Sequence, residues 1–289
     1  MGNLSARDVA MAITVPLVWG MGLVIAKSAI NHFPPILLMA LRFTLTASVL
    51  VWFVAIPRKN LVWLFGVAIV GSAIQYSLTF TGLKGLDAGV AALVVQTEVP
   101  FLVLLGALLL GEKPTLRKWI GIVIAFAGVA LTTNPTGFSG SLWPIFLVLG
   151  GAFSWALGQV MIRHMKDIDG LQVTAWAAVF AAPQLFVMSF IFEDNHVAAI
   201  QSAGLQVWLT VVYLGLVMTA FGYFLWNSLI RRHDVGAVAP FLLLLPVFAV
   251  LGGVIFLGER PDVWTLLGGA VILFGVGIIT LTPSPKPKD

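Results

Sequence analysis

The chain has 289 residues, 60% of them hydrophobic and only 10% charged, and its mean hydropathy is +1.02. A soluble domain carries nearer a quarter charged residues, so a two-domain soluble enzyme and a nucleic-acid binder are excluded. The absence of cysteine excludes a disulfide scaffold.

Ten hydrophobic stretches follow one another, at roughly 8–30, 35–56, 61–83, 87–110, 116–134, 142–162, 171–192, 205–229, 235–258 and 263–282. Each is near the ~20 apolar residues that a helix needs to cross a bilayer. Ten of them leave only loops and two tails, with no room for an extramembrane catalytic domain. Turn chemistry separates them: Asn31-His32-Phe33-Pro34-Pro35, Pro57-Arg58-Lys59-Asn60, Gly111-Glu112-Lys113-Pro114 and Asn134-Pro135-Thr136-Gly137. Hydrocarbon requires every backbone polar group to be satisfied within the segment, so stretches this long are helices and not barrel strands. The first stretch is too long for a signal-peptide core and has no small-x-small cleavage site before Asn31; it is expected to be a retained helix. The fold class is therefore an all-α integral membrane protein of ten transmembrane helices.

Orientation follows from lysine and arginine in short loops. With a cytoplasmic N-terminus, Arg7, Arg58, Lys59, Lys113, Arg117, Lys118, Arg163, Lys166, Arg231, Arg232, Lys286 and Lys288 fall inside, and only Lys84 and Arg260 fall outside. Both termini are thus expected in the cytoplasm, the second as a short tail over 283–289. This asymmetry accounts for the pI near 9.6 without nucleic acid.

Shifting the chain by 147 residues superposes Asp87-Ala88-Gly89 on Asp234-Val235-Gly236, and Gly111-Glu112-Lys113-Pro114 on Gly258-Glu259-Arg260-Pro261. Gly121 then meets Gly268 and Gly128 meets Gly275. A shift of 136 pairs Trp19, Gly22 and Lys27 with Trp155, Gly158 and Arg163. Two five-helix halves, 8–134 and 142–282, are expected. Five is odd, so the halves enter the membrane from opposite sides, an inverted repeat of the kind transporters use for alternating access about a midplane site.

These residues resemble the drug/metabolite transporter superfamily, specifically the ten-helix proteins with two EamA-type repeats. The resemblance rests on Trp19-Gly20, Leu41-Arg42-Phe43, the run from Gly89 through Pro100 to Gly111-Glu112-Lys113, and the run from Gly236 through Pro246 to Gly258-Glu259-Arg260. It spans essentially the whole chain. It implies a small-solute carrier of the bacterial inner membrane, often an exporter, and is nearest the amino-acid exporters, those for aromatic amino acids included. The multidrug, nucleoside and quaternary-amine exporters of the same fold are the alternative, with a channel as the more distant one.

Ionisable residues deep in a span are functional candidates by default. Glu98 sits near the centre of the fourth stretch and is a candidate proton or ammonium site, with a hydrogen-bonded structural carboxyl as the other reading. The family's pattern is more apolar at this place. Arg42 is expected to pair with helix-end carbonyls in preference to substrate, and Lys27 to snorkel to the interface. Pro16, Pro100, Pro183 and Pro246 each remove a backbone donor in mid-span. Pro100 and Pro246 fall in corresponding helices and are the expected hinges. Trp19, Gln75, Tyr76, Gln96, Trp155 and Gln159 are central and expected to line a substrate cavity between the halves, formed by the first, third and fourth helices and their mates. Tyr223 matches Tyr76 at the 147 shift. Trp63, Trp143 and Trp208 read as interfacial anchors. Gly121, Gly128, Gly268 and Gly275 read as close helix packing or a homodimer face. The histidines, His32, His164, His196 and His233, lie in loops or at span ends without metal spacing. There is no His-Glu-x-x-His, phosphate loop or nucleophile elbow. No catalytic residue, metal or cofactor is expected; the partners are a small-molecule substrate and the bilayer, in a monomer or homodimer.

Overall fold

The computed structural model describes residues 5–132, 141–165, 168–230, 232–233 and 235–281. Of the features read from the sequence, the Asn134–Gly137 turn, Lys166, Arg231, Asp234 and the tail 283–289 lie outside the described residues. The ten spans are α1 (Ala6–Ile30), α2 (Pro35–Phe53), α3 (Arg58–Lys84), α4 (Ala88–Leu109), α5 (Leu116–Thr132), α6 (Trp143–Arg163), α7 (Gly170–Phe192), α8 (Leu205–Ile230), α9 (Ala239–Leu257) and α10 (Val263–Leu281). Among the described residues there is no strand. Nine of these helices are long and apolar enough to cross a membrane. The tenth, α5, has 17 residues, a rise of about 26 Å against a hydrocarbon thickness of ~30 Å.

Local sequence sets the helix starts. Pro35 opens α2 with the φ a first turn requires. A reciprocal capping box between Asp169 and Gln172 opens α7, and the Ser5 hydroxyl accepts from the Asp8 amide at the start of α1. Outward faces are apolar: Val62 is 86% exposed, Trp52 83% and Leu108 77%. Exposed apolar surface of this extent suits a lipid surround.

Contacts between helix ends assign the two faces of the bundle. On one, Asp8 pairs with Arg232 at 2.9 Å, Glu112 pairs with Arg163, and Gln172 and Trp176 donate to the Ala55 carbonyl. On the other, Lys27 donates to the Leu83 and Lys84 carbonyls at 2.9 Å, Glu193 accepts from the Ile36 and Leu37 amides, and Glu259 accepts from the Ala88 amide. Glu112 and Glu259, repeat mates by sequence, therefore sit at opposite ends of α4. The halves are inverted.

Helices pack across the two halves in mated pairs. α2 packs on α7 and α5 on α10, while α1 against α9 repeats α6 against α4, and α3 against α6 repeats α8 against α1. The glycines of α5 and α10 belong to this intrachain contact. A Cβ on Gly121 would lie 2.7 Å from the Gly275 carbonyl, and one on Gly128 would lie 2.6 Å from the Ile272 nitrogen. This removes the homodimer reading of those residues, because the face is already covered.

Two mated helices depart from α geometry at the same place. α3 contains a π segment over Ile69–Ile74 and α8 over Tyr213–Phe221, directly before Gln75-Tyr76 and Gly222-Tyr223. Wider turns leave carbonyls short of donors, and neighbouring helices supply them. Ser154 donates to Val70, Thr46 to Gly215 and Trp19 to Met218. Such side-chain donors let irregular backbone persist at membrane depth.

Prolines divide into two classes. α1 and α7 run as uninterrupted helices through Pro16 and Pro183. α4 is broken at Gln96-Thr97, and α9 opens with a 3₁₀ segment over Ala239–Leu243. Each irregularity reaches the residue four before Pro100 or Pro246, where the ring would meet a helical carbonyl.

Candidate functional site

Helices α1, α3, α4, α6, α8 and α9 surround a cavity of about 390 Å³ at mid-bundle, with Arg42 of α2 at its wall. These are the first, third and fourth helices and their mates. α5 and α10 contribute nothing to the lining. Trp19 and Leu23 come from α1, Gln75, Tyr76, Thr79 and Phe80 from α3, and Val95, Glu98 and Leu102 from α4. Trp155 and Gln159 come from α6, Met218, Tyr223 and Trp226 from α8, and Leu242 and Leu245 from α9. A second chamber of about 300 Å³ adjoins it, sharing Tyr76, Trp155, Gln159, Tyr223 and Trp226. It extends past Asn227 to Ile162, Gly170 and Ile230, at the helix ends of the Asp8 face. Among the described residues, the second chamber carries the lined space toward that face.

Five of the six residues expected to bind substrate, Trp19, Gln75, Tyr76, Trp155 and Gln159, meet in this space, and so does Glu98. Gln96 does not. It is 8% exposed and lies off the cavity wall. Gln96 sits in the break of α4, and Glu98, which opens the helix after it, takes the inward position instead.

The polar groups of the cavity are incompletely paired. Gln75 is 4% exposed; its amide nitrogen donates to Thr79 at 3.3 Å, and its Oε1 has no partner. Among the described residues Glu98 forms no ion pair or hydrogen bond. Its side chain keeps surface open to the cavity. A deep unpaired carboxylate is costly to hold in a membrane.

Arg42 is 1% exposed. Its Nε donates to the Thr219 hydroxyl at 3.0 Å, and its guanidinium lies 4.7 Å from the Tyr76 ring centroid and 5.4 Å from that of Phe43. The expected pairing with helix-end carbonyls is instead made by Lys27, which reaches the end of α3. Arg42 is too deep for such carbonyls and uses aromatic faces and the hydroxyl that fills the π turn of α8. No carboxylate neutralises it among the described residues.

Aromatic rings complete the walls. Trp19 packs 5.2 Å from Tyr223 and 6.3 Å from Trp226, and Phe43 meets Tyr76 edge-on at 4.9 Å. Trp226 and Arg42 are lining residues that the candidate set omitted. The 147 shift that matches Tyr223 to Tyr76 also matches Trp226 to Thr79, another lining residue. Trp63 and Trp143 are exposed at 51% and 65%, as anchors should be, whereas Trp208 is packed edge-on against buried Phe33 at 5.5 Å. A larger hollow, about 560 Å³, opens at the surface of the opposite face beside His32, Lys84 and Glu193. Its carboxylate already caps α2 and accepts from Ser189.

The model of the EamA-like transporter family matches residues 7–134 and 142–281. A protein of Salmonella typhimurium named "probable amino-acid metabolite efflux pump" is 31% identical over 95% of both chains, and its namesake in Escherichia coli K12 is 30% identical over the same shares. An uncharacterized inner membrane transporter of Escherichia coli K12 is 27% identical over 92% of this chain and 88% of its own. A crystal structure 23% identical in sequence superposes with a TM-score of 0.67 over 96% of this chain and 99% of its own, which shows a shared fold.

Proposed function

The chain belongs to the EamA-like transporter family and is a multi-pass transporter of the bacterial inner membrane; we propose that it exports hydrophobic or aromatic amino acids, or similar small metabolites, by alternating access through the central cavity. One observation carries this reading. Both halves contribute aromatic rings to a single mid-bundle space in which the carboxylate of Glu98 is open and unpaired. An ammonium group would sit on Glu98, with the free Oε1 of Gln75 as a second acceptor. The apolar side chain would lie against Trp19, Trp155 and Tyr223. Arg42, unneutralised behind Tyr76, makes that side of the cavity positive and suits the substrate carboxylate. The names of the relatives at 31% and 30% identity agree with such a cargo.

Direction follows from charge. Arginine and lysine concentrate on the Asp8 face, which supports a cytoplasmic position for that face. The cavity opens to the same face, the side from which an exporter loads. The broken backbones before Pro100 and Pro246 would serve as the hinges for reorientation.

Counterflow of radiolabelled amino acids in proteoliposomes, with and without an imposed pH gradient, tests the reading. Saturable exchange of phenylalanine or leucine supports it, and acceleration by the gradient assigns Glu98 to proton coupling as well. Aromatic rings around an open carboxylate also suit organic cations. Exchange of quaternary amines without any amino-acid exchange would overturn the amino-acid cargo in favour of that second reading. Flux that fails to saturate would indicate a channel.

A further inference from the structure

The two Gly-Glu-(Lys/Arg)-Pro turns have the same backbone but different partners. Gly111 has φ +67° and Gly258 has φ +68°, a conformation that glycine alone adopts freely. Glu112 donates its amide to the Gly106 carbonyl at 3.2 Å, and Glu259 donates to Gly253 at 3.0 Å. In each turn the glutamate side chain folds over the glycine six residues earlier, where a Cβ would collide with the carboxylate. Gly106 and Gly253 are themselves mates at the 147 shift.

From this common base the carboxylates diverge. Glu259 reaches the start of α4, where Oε1 accepts from the Ala88 amide at 2.7 Å and Oε2 lies 3.4 Å from the Gly89 nitrogen. Lys27 stands within electrostatic range of it, tied to the end of α3. At this end α4 is pressed on α9, since a Cβ on Gly89 would lie 2.7 Å from Val250. The face is shut. At the other end Glu112 is turned to Arg163, the mate of Lys27, and both side chains are half exposed. That is the face to which the cavity opens.

We propose that Glu259 and Glu112 are paired latches of the transport cycle. Docking of Glu259 on α4 closes its face in the state described here. Release of Glu259, with docking of Glu112 toward the helical turn Val235–Val238 that precedes α9, closes the opposite face in the other state. Both glutamates act by positioning helices and neither touches cargo. The pairing rests on the alternating-access reading above; the docking of Glu259 alone does not.

Because the chain has no cysteine, a single introduced thiol reports accessibility cleanly. Val95 lines the cavity on the Glu259 side of Glu98. A Val95→Cys variant, in right-side-out and inverted vesicles, is labelled with a membrane-impermeant maleimide from each side. Adding Glu259→Ala should speed labelling from the Glu259 face about tenfold, as expected for losing hydrogen bonds to a charged acceptor. Adding Glu112→Ala should slow labelling from that same face, because the state open there loses its closure on the other side. Glu259→Asp should restore part of the wild-type rate. A Glu259→Ala protein that runs as a single species in size exclusion but labels at the wild-type rate overturns the latch. A rise with Glu259→Ala and no fall with Glu112→Ala overturns the pairing, whereas the alternating-access reading falls only if counterflow also fails to show saturable exchange. Should Glu259→Ala fail to fold, the Glu112→Ala comparison and the Glu259→Ser variant, too short to reach Ala88, carry the test, with an unchanged rate in both overturning the proposal.

Discussion

α5 and α10 are repeat mates, as are α4 and α9, yet the two pairs have been put to different uses. In the first pair the helices are unbroken, and glycine lets backbone meet backbone. In the second, each helix departs from α geometry just before a proline, at Gln96-Thr97 ahead of Pro100 and over Ala239–Leu243 ahead of Pro246. The first pair is a closely packed seam outside the cavity; the second forms part of its wall and is the pair we propose bends. Proline at the fourth position after a break leaves little helix to lose on bending, while a glycine seam has no slack for even one methyl group.

The largest expected effect breaks the seam. Gly128→Leu would drive side-chain atoms into the Ile272 nitrogen and Gly268 carbonyl, both backbone and both unable to yield. Overpacking of this kind costs about 3 kcal/mol, enough to remove most folded protein, as measured by size-exclusion recovery after heating. Gly204→Ala is the control, since nothing lies within 4 Å of its Cβ position, and recovery there should be unchanged. Equal recovery in the two variants would mean that the α5–α10 contact is not a fixed seam.

Next in size is the cavity carboxylate. Glu98→Gln should weaken binding of a transported amino acid about 10- to 100-fold, the range for a hydrogen bond to a charged partner, with the folded yield maintained. Equilibrium binding by scintillation proximity checks it. Unchanged affinity would make Glu98 structural. Smaller again is the hinge effect. Pro100→Ala restores an amide donor facing the Gln96 carbonyl and lets α4 run continuously. Exchange turnover should fall about tenfold, roughly 1.4 kcal/mol in barrier, with affinity little changed. Pro183→Ala, in the unbroken α7, should leave turnover as it is. Equal effects at the two prolines would erase the distinction between a proline that follows a break and one inside an unbroken helix.

The contrast also marks what a sequence can carry. The ten spans were legible because hydrocarbon demands long apolar helices, and the inversion because a Gly-Glu-(Lys/Arg)-Pro turn recurs after five of them. Five of the six substrate-site candidates and Glu98 were legible from depth alone, since central residues in mated helices must meet if the halves do. The failures are matters of rotation about the helix axis. Gln96 has the right depth and the wrong azimuth, and the break at Gln96-Thr97 shifts the phase of everything after it. Trp226 lies nearer a helix end than the midplane and was invisible to a depth criterion, although the 147 shift would have placed it. The π segments of α3 and α8 have no signature of their own, because the donors that satisfy them, Ser154, Thr46 and Trp19, come from helices distant in sequence.

The smallest expected effect concerns pH at the closed face. Glu259 lies between α9 and α10, outside the spans. Burial pushes its carboxyl above the ordinary carboxylate range, and Asp87 pushes the same way. The amides of Ala88 and Gly89 and the ammonium of Lys27 pull it down without cancelling the rise. A carboxyl that holds its proton more tightly when docked than when free favours the docked state as pH falls. This stabilisation is complete below the ordinary range and is lost as pH rises through the higher, docked one. The geometry is consistent with that sign, because a neutral acid can still accept the 2.7 Å bond from Ala88 through Oε1 and gives up only the long contact to Gly89. Acidification should therefore slow labelling of Val95→Cys from the Glu259 face, relative to the same thiol beside Glu259→Gln, which has no proton to gain. The group is only partly buried, so solvent screening keeps the effect below those of the mutations. Relative labelling that speeds up on acidification would mean that the charged carboxylate is what holds the face shut.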